Sequence, residues 1–429
     1  MAIASRLGLQ RSAAAPFHLM AKPSGPQCNL DCTYCFYLEK EALFAERKQA
    51  RRMSAEALEA YVRQTIAATP RQAPVQFTWQ GGEPALLGID FYRQAVALQK
   101  RHGAGRAIEN SFQTNGTLID AEWARFFAEQ GFLVGLSLDG PASVHDRYRR
   151  YANGKPSHAQ VMAALRHLQA AGVAYNVLAC VDAHSSQAPL EVYRFLRDEA
   201  QVEFVQFTPV VERVAGAQAA AQGLALNGPG AAADAAVAPF SVAPAAWGQF
   251  LNAVFDEWRQ HDVGRVFVMN FEWTLAAHLG APGVVCHHQP VCGRALVAEH
   301  NGDVYACDHF VYPEYKLGNL ASDSLVAMVD GARAQAFGKA KYETLPGQCR
   351  ACPHLGACWG GCPKHRFATT AAGEPGLNYL CEGFTLYLSH TAPVIARLGA
   401  AIRAGRMFGT RAGALQNSPP LTIRRRPSQ

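Results

Sequence analysis

The sequence predicts an α/β fold with a parallel sheet, followed by a second region that is rich in cysteine. From residue 17 to about residue 211, apolar runs typical of strands alternate with amphipathic helical patterns. Eight of the twelve cysteines lie between residues 286 and 381, where short segments are separated by Cys, Gly and Pro. Strands that alternate with helices form βαβ units and hence parallel sheets. Six such units make a partial (β/α)6 barrel or, alternatively, an open doubly wound sheet.

Six segments of the first region read as strands because they are short, apolar and rich in β-branched or aromatic residues. They are residues 17–24, 75–84, 108–116, 132–140, 173–181 and 204–211. The helical patterns between them have apolar residues at spacings of three and four. They are residues 54–68, 120–131, 158–172 and 189–200.

Glycine and polar residues follow directly on several of these apolar runs. They are Gly81, Gly82, Glu83, Asn115, Ser137 and Asp139. Barrels and open α/β sheets bind ligands at the carboxyl ends of their strands, so this placement favours the barrel with a ligand-binding rim. Residues of these types also end strands without any further role, and both interpretations stay open at this point.

Composition and charge exclude several classes of protein. The chain has 429 residues, of which 49% are hydrophobic and 17% are charged, enough for two or three globular domains. The net charge of +6 owes much to the basic tail at residues 422–429. Because no basic patch interleaved with aromatic residues is present, we expect no nucleic-acid partner. No apolar run reaches the roughly 18 residues of a membrane span, so we expect no membrane partner either.

The sequence also predicts how the chain divides. Residues 1–16 form a flexible N-terminus without a secretion signal, and residues 17–245 form the partial barrel. Within the barrel, residues 213–244 are an Ala/Gly/Pro-rich insertion. A linker helix at 245–261 opens a cysteine-organised domain that extends over residues 246–381. A closing helix occupies residues 382–405, and the basic tail at 406–429 is expected to be disordered.

The cysteines are distributed in a way that favours ligation over disulfides. Three lie at Cys28, Cys32 and Cys35, one is isolated at Cys180, and eight lie further along the chain. Disulfide frameworks belong mainly to short secreted domains, whereas metal or cluster ligation suits a reducing cytosol. Each iron of a four-iron cube needs an outer ligand, so three thiolates leave one iron open to a substrate or cofactor. The alternatives are a zinc site with a distant fourth ligand and three unrelated cysteines.

The segment "CNLDCTYC" (28–35) resembles the C-x₃-C-x₂-C loop of radical S-adenosylmethionine enzymes. "GGEP" (81–84) and "SLDG" (137–140) resemble further motifs of that family, and they follow predicted strands in the same order. The resemblance implies that S-adenosylmethionine chelates the open iron and is cleaved to a 5′-deoxyadenosyl radical. It also implies a set of residues that contact this cofactor: Tyr34, Gly82, Ser137, Arg149 and Val211.

The eight later cysteines resemble the SPASM extension of peptide-modifying radical enzymes. The resemblance implies two auxiliary clusters with interleaved ligands, which brings the total to three [4Fe–4S] clusters. One set is Cys286, Cys292, Cys307 and Cys362, and the other is Cys349, Cys352, Cys358 and Cys381. Two zinc knuckles are the alternative, since the 349–362 spacing also fits them. Cys180 is left over, and we expect it to be a buried packing residue.

The resemblance extends over roughly residues 17–400, and the sequence is most similar to the anaerobic sulfatase-maturating enzymes. It rests on "GLSLDGPASVHDRYR" (135–149), "VFDEWRQHDVGRVFV" (254–268) and "HNGDVYACDHFVYPEYKLGN" (300–319). It implies oxidation of Cys or Ser, in a C/S-x-P/A-x-R motif of an unfolded sulfatase, to Cα-formylglycine. It further implies a low-potential donor such as flavodoxin or ferredoxin, and a cytoplasmic location.

The Asp after the third SPASM cysteine is the proposed base of that family, and here it is Asp308. A carboxylate within hydrogen-bond reach can accept the substrate proton while the neighbouring cluster accepts the electron. The alternative role for Asp308 is to cap the cysteine loop. His309, Tyr312 and Tyr315 either line a peptide channel or serve as packing residues.

Two other functions remain open on sequence grounds. One is a maturase that forms thioether or carbon–carbon crosslinks in a ribosomally made peptide. Many such enzymes carry an N-terminal recognition domain, for which the sixteen or so residues before the first strand are too few. The other is a non-catalytic electron carrier, which an open-corner cluster would serve poorly.

Overall fold

The computed structural model describes residues 12–43, 52–221, 223–226, 228, 235–281 and 285–405. The predicted C-terminal tail, most of the predicted flexible N-terminus and part of the predicted insertion lie outside these residues. The described strands are β1 (His18–Lys22), β2 (Val75–Trp79), β3 (Ile108–Thr114), β4 (Leu133–Ser137), β5 (Ala174–Val181), β6 (Phe204–Pro209), β7 (Phe267–Val268), β8 (Ala295–Glu299), β9 (Asp303–Tyr305), β10 (Lys316–Asn319), β11 (Ala368–Thr369) and β12 (Pro375–Leu377).

The main sheet has the strand order β10-β9-β8-β1-β2-β3-β4-β5-β6-β7. Strands β1 to β6 are neighbours in chain order, and every pair among them is parallel. A doubly wound sheet reverses its order at a switch point, and no such reversal occurs from β1 to β6. The described strands leave the sheet open between β7 and β10. The partial barrel is therefore confirmed, and the doubly wound alternative is wrong.

The helices connect the parallel strands or cover the ends of the sheet. The described α-helices are α1 (Ala55–Ala68), α2 (Ile89–His102), α3 (Ala121–Gln130), α4 (Ala142–Tyr148), α5 (His158–Ala170), α6 (Pro189–Arg194), α7 (Ala217–Ala221), α8 (Pro244–His261), α9 (Met269–His278), α10 (Leu325–Val329), α11 (Ala332–Glu343), α12 (Gly347–Arg350), α13 (Leu355–Cys358) and α14 (Cys381–Arg403). The predicted helix at 189–200 ends as α-helix at Arg194 and continues as a π-turn over Phe195–Glu199. That wider turn buries Phe195 and Leu196 together.

Local sequence explains where individual helices begin and end. The side chain of Asp120 accepts hydrogen bonds from the backbone N–H groups of Glu122 and Trp123, which starts α3. Gly131 ends the same helix in the left-handed conformation, with φ at 66°. Where α8 packs on α14, a Cβ added to Gly248 would lie 2.5 Å from the carbonyl oxygen of Gly383. Glycine at both contact positions therefore allows these two helices to approach closely.

Two apolar cores stabilise the barrel. The first is centred on Trp79, which is fully buried among the rings of Tyr61, Phe77 and Tyr92. The second lies between the later strands and helices α8 and α14. Burying a large apolar side chain contributes about 1.5–3 kcal/mol, so these rings carry much of the stability of the barrel. No helix in the described part of the chain is long and apolar enough to cross a membrane.

The cysteine-rich region continues the sheet of the barrel. Strand β8 pairs in parallel with β1, and the register places Glu299 beside Lys22. Strands β9 and β10 then extend this edge in antiparallel fashion. Side chains alternate along a strand, so Met20, Lys22, Val297 and Glu299 lie on one face. The extension crosses the predicted domain boundary, and its long-range pairing is not visible in the sequence.

Candidate functional site

The cysteine loop, residues 28–35, follows β1 and lies against the turn that follows β2. The backbone N–H of Gly82 donates to the carbonyl oxygen of Gly25 at 2.8 Å, and that of Glu83 donates to Gln27 at 2.8 Å. A Cβ on Gly82 would lie 2.0 Å from the carbonyl oxygen of Gln27. Glycine at position 82 is therefore needed for the loop to dock.

The three thiols of this loop lie within electrostatic range of one another. The Sγ atom of Cys28 accepts hydrogen bonds from the backbone N–H of Leu30 at 3.4 Å and from Asn115 Nδ2 at 3.6 Å. Burial raises the pKa of Cys28 to about 12. Thiolate ligands in so buried a place need compensating positive charge, which a bound metal centre supplies.

Glu83 is fully buried beneath the cysteine loop. Its carboxylate accepts hydrogen bonds from the backbone N–H of Ala85, the hydroxyl of Thr114 and the backbone N–H of Asn115, at 2.8–2.9 Å. Burial raises the pKa of Glu83 to about 7, against the opposing effect of these donors. The carboxylate thus ties the end of β2 to the end of β3, a structural role that the GGEP resemblance did not reveal.

A buried ion pair lies on the far side of the cysteine loop. Asp139 accepts from Arg149 Nε at 2.7 Å and Nη2 at 3.1 Å, and from the Tyr34 hydroxyl at 2.5 Å. Burial opposes ionisation of Asp139, but the Arg149 guanidinium prevails and the pKa of Asp139 is lowered. Tyr34 and Arg149, both predicted to contact the cofactor, are therefore fixed by one carboxylate.

The remaining predicted contacts lie near this ion pair or in the core. Ser137 is half-buried, and its hydroxyl accepts from Gln113 Nε2 at 3.2 Å. Val211 is 2% exposed and packs in the second apolar core. Its predicted contact with adenine stays a prediction. Cys180, predicted as a packing residue, is partly buried, and its Sγ lies 3.4 Å from Arg149 Nη2.

The eight later cysteines fall into two groups. Cys292, Cys307 and Cys362 lie within electrostatic range of Cys286. In the other group, Cys349, Cys352 and Cys381 lie within the same range of Cys358. All four of this second group line one small cavity. These two groups have the same members as the interleaved sets that the SPASM resemblance implies, and the ligation of a cluster by each set stays a prediction.

The spacing of the thiols bears on which metal they suit. Across the described ranges, no three His, Cys, Asp or Glu side chains converge closely enough to hold a single metal ion. A tetrahedral zinc ion needs all its ligands around one atom, whereas the thiolates of a cube bind separate irons. Eight thiols in two groups of four provide the number of ligands that two four-iron cubes need.

Two cations that the sequence did not reveal lie beside these groups, the buried Lys341 and the partly buried Arg366. Lys341 Nζ donates to the carbonyl oxygens of Cys286, His287 and Gln289 at 2.5–3.0 Å. Arg366 interacts electrostatically with cysteines of both groups and donates to the carbonyl oxygens of Lys341, Trp359 and Gly360. Burial lowers the pKa of both side chains. Their charge offsets that of thiolates gathered nearby.

Asp308 begins a turn after β9 and lies where the cysteine-rich region meets the barrel. Its Oδ1 atom is 2.6 Å from the ammonium of Lys22, whose side chain is 1% exposed. Burial would raise the pKa of Asp308, but Lys22 and other nearby positive charges lower it overall. The contact described for this carboxylate is with Lys22 of β1, not with a backbone N–H of the turn that carries Cys307.

The three residues predicted to line a channel or to pack have different surroundings. His309 Nδ1 is 3.4 Å from Cys362 Sγ, and its ring packs edge-on against Phe36. Tyr312 is 9% exposed, with the ammonium of Lys40 3.3 Å from its ring centroid. Tyr315 packs against Phe310 and Phe337. His309 thus lies between Cys362 and Phe36, which follows the cysteine loop. Tyr315 is a packing residue.

Comparisons with known proteins agree with this arrangement. Residues 23–196 match the Radical SAM superfamily, and residues 286–353 match the SPASM iron–sulfur cluster-binding domain. The chain is 46% identical, over 89% of its length and 90% of the relative, to a serine-type anaerobic sulfatase-maturating enzyme of Bacteroides thetaiotaomicron. The chain belongs to the anaerobic sulfatase-maturating enzymes. It is accordingly a radical S-adenosylmethionine oxidoreductase with iron–sulfur clusters, and three clusters are consistent with this family.

Other members of this family of sulfatase-maturating enzymes are more distant. A cysteine-type enzyme of Clostridium perfringens is 28% identical over 90% of this chain and all of that protein. The structure of anSMEcpe with bound AdoMet superposes with a TM-score of 0.79 at 28% identity, covering 93% of this chain and 98% of that one. The same protein has also been solved with bound AdoMet and the Cp18Cys peptide.

Proposed function

We propose that this enzyme oxidises the Cβ atom of a serine or cysteine in an unfolded sulfatase to give Cα-formylglycine. One observation supports this most directly. The fold brings Asp308, from the cysteine-rich region, against β1 and the end of the cysteine loop, through Lys22 and the contact of His309 with Phe36. A proton acceptor and the place where the radical forms therefore share one site.

The residues that hold the cofactors follow from the donor sets. Cys28, Cys32 and Cys35 hold the cluster with an open iron, and the two groups of later cysteines hold the auxiliary clusters. When bound, these groups supply radical generation from S-adenosylmethionine and accept an electron. Tyr34, Gly82, Ser137, Arg149 and Val211 surround the cofactor. Among them, the pairing of Arg149 with Asp139 fixes a guanidinium beside the cysteine loop.

Asp308 is the proposed base. A carboxylate held ionised accepts a proton from the substrate hydroxyl or thiol when it lies within hydrogen-bond reach. The pairing with Lys22 keeps Asp308 ionised at neutral pH, since it lowers the pKa of this carboxyl. His309 and Phe36 form part of the wall beside it.

The relatives support a serine substrate. Enzymes of the serine type are 46% and 35% identical to this chain, whereas those of the cysteine type are 28–32% identical. We therefore assign a C/S-x-P/A-x-R motif in which serine is accepted. A low-potential flavodoxin or ferredoxin supplies electrons, and the protein acts in the cytoplasm before its substrate folds.

The division of the chain given by the sequence belongs to the same proposal. The radical S-adenosylmethionine barrel extends over 17–245 and the SPASM domain over 246–381, followed by the closing helix. The shared sheet supports close cooperation between these domains, because β8 pairs directly with β1.

The test is anaerobic incubation of reconstituted enzyme with two sulfatase peptides, one with serine and one with cysteine at the target position. An alanine peptide serves as the control. Formylglycine from cysteine lacks the sulfur, whereas a thioether crosslink keeps it and loses two hydrogens, so mass spectrometry distinguishes the two reactions. If only the cysteine peptide reacts, the serine assignment is wrong while the class of enzyme stands. If neither peptide gives an aldehyde, the proposed function is wrong.

A further inference from the structure

Lys22 forms a buried ion pair at the carboxyl end of β1. Its ammonium lies 2.6 Å from Asp308 Oδ1. The lysine side chain is 1% exposed, and that of Asp308 is 21% exposed. An ion pair of this kind carries a desolvation cost, so its partners stabilise the fold less than a well-packed apolar pair would. Its presence at the proposed catalytic carboxylate therefore calls for a role other than stability.

The surroundings of Lys22 hold its ammonium in one place. The ring centroid of Tyr37 is 3.7 Å from Nζ, a distance at which a cation and an aromatic face attract. The Tyr37 hydroxyl in turn contacts both carboxylate oxygens of Glu299, at 2.6 and 2.7 Å. Glu299 is the strand neighbour of Lys22 in the β1–β8 pair. The ammonium is thus fixed by two strands and by the residue two positions after the cysteine loop.

Asp308, in contrast, lies in a turn of three residues that follows β9. A carboxylate in such a turn has several rotamers available, and only some of them aim an oxygen at a substrate. Contact of Lys22 with Oδ1 favours those orientations of the carboxylate that keep this ion pair. The geometry needed for a positioned base is thereby supplied by β1, not by the turn itself.

We propose that Lys22 is a positioning residue that orients Asp308 for proton transfer from the substrate. The proposal rests on the proposed function, because it takes Asp308 as the base. The step concerned is a single proton transfer. The O–H or S–H bond of the substrate breaks, and an O–H bond forms at the carboxylate of Asp308. No bond of Lys22 breaks or forms in this step.

The test is Lys22→Met, which removes the ammonium and keeps most of the side-chain volume. Two products are measured in the same reaction, 5′-deoxyadenosine and formylglycine. We expect 5′-deoxyadenosine to form with peptide present and to carry deuterium from a labelled substrate Cβ. Formylglycine per 5′-deoxyadenosine should fall by about 10²-fold, the loss that a misplaced catalytic group causes. Iron content and the Kd of a fluorescent peptide should stay at the wild-type values.

Lys22→Arg restores the positive charge, and Lys22→Gln restores only a donor. We expect the product ratio to rank in the order Lys22→Arg, Lys22→Gln, Lys22→Met. Lys316→Met is the matched control, since Lys316 pairs with Asp303 at the same 2.6 Å in the neighbouring strands but is 41% exposed. This control should keep the wild-type product ratio.

A double-mutant cycle tests whether Lys22 acts through Asp308. In the Asp308→Asn background, Lys22→Met should change the product ratio by less than about twofold, because the group to be oriented is already lost. An undiminished, additive loss in that background would overturn the proposal. So would loss of iron in both Lys22→Met and Lys22→Gln, which would make Lys22 a support of the cysteine loop. A raised peptide Kd with an unchanged product ratio would make it a substrate-binding residue instead.

The proposed function and this inference fail in different ways. If wild-type enzyme makes no formylglycine from either peptide, the proposed function is wrong. If Asp308→Asn makes formylglycine at the wild-type rate, Asp308 is not the base. If the wild-type enzyme makes formylglycine, Asp308→Asn makes far less, and every Lys22 variant keeps the wild-type product ratio, then the positioning role alone is wrong.

Discussion

Residues 108–137 and residues 350–379 are stretches of equal length that are stabilised in different ways. The first contains β3, α3 and β4, and it buries a series of large apolar side chains. They are Phe112, Ile119, Trp123, Phe126, Phe127, Phe132, Val134 and Leu136. The second contains α13 and the two-residue strand β11, and no apolar side chain within it is fully buried.

The second stretch has thiols where the first has an apolar core. Cys352, Cys358 and Cys362 lie within it, and Cys349 and Cys381 flank it. Arg366 donates to the carbonyl oxygens of Trp359 and Gly360 within this stretch and to that of Lys341 in α11. The apolar side chains of this stretch that pack against the second apolar core are only partly buried. Such a segment needs another source of cross-linking, and metal ligation supplies it in small domains. We therefore expect that loss of iron unfolds residues 350–379 and leaves residues 108–137 folded.

The largest expected effect comes from removing iron. Anaerobic chelation should raise amide deuterium uptake across residues 350–379 to that of an unstructured chain, because the thiolates lose their common ligand. Residues 108–137 should keep their protection, since aromatic packing holds them. Hydrogen exchange with mass spectrometry measures both stretches in one sample. Equal loss of protection in the two stretches would contradict the comparison.

The second prediction separates the cysteine loop from the later cysteines. Changing Cys28, Cys32 and Cys35 together to Ala should lower the iron from about twelve to about eight atoms, four for each remaining cube. Cleavage of S-adenosylmethionine should be abolished, because no open iron remains. Exchange in residues 350–379 should match that of the wild type. If the variant also loses protection there, the two ligand sets are not independent.

The third prediction concerns Asp308, which lies where the cysteine-rich region meets the barrel. Asp308→Asn keeps the shape of the side chain but removes its basicity. Formylglycine should fall by roughly 10² to 10⁴, as expected for the loss of a positioned base. Label from the substrate Cβ should still reach 5′-deoxyadenosine, because hydrogen abstraction comes first.

The outcome also distinguishes the base from the loop cap. If Asp308 caps the turn that carries Cys307, the variant should lose auxiliary-cluster iron and fail in both measurements. Formylglycine formed at the wild-type rate, with full iron content, would exclude both roles.

The barrel could be predicted from the sequence because the patterns that indicate its strands and helices are local. All six predicted parallel strands are present, since each is a short apolar run between helical patterns. The strand-end residues Ser137 and Asp139, and the cysteine loop, also lie where the alternation predicts. Helix α4, by contrast, was not predicted from "ASVHDRY", a segment with few apolar residues.

The rest depends on pairings across long distances in the chain. Strand β8 reads as one more short apolar segment, and nothing within it reveals that it joins β1, 277 residues away at Lys22 and Glu299. The Lys22–Asp308 contact follows from that pairing and was missed for the same reason. One signal was available: "HLMAK" ends on a charged residue within an apolar strand. A charge in such a position needs a partner, and that partner marks a candidate site.

The smallest expected effect concerns the charge of the cysteine-rich region. Arg366 lies near both groups of later cysteines, and its guanidinium is largely buried. Each cube with four thiolates is negatively charged, and reduction adds a further negative charge. Arg366→Gln removes a positive charge that favours the reduced state, so the reduction potentials of both auxiliary clusters should fall. Potentiometric titration followed by electron paramagnetic resonance measures them separately.

Arg350→Gln provides the matched control for Arg366. Arg350 also donates to backbone carbonyl oxygens, those of Tyr342, Glu343 and Leu345, but it stacks on the ring of Tyr342 in a more exposed place. Its removal should leave both potentials unchanged. If Arg366→Gln shifts neither potential and instead raises exchange across residues 350–379, the guanidinium acts by tying the backbone together. In that case the cross-linking of this stretch is shared between iron and Arg366, and the contrast with residues 108–137 is weaker than the thiols alone indicate.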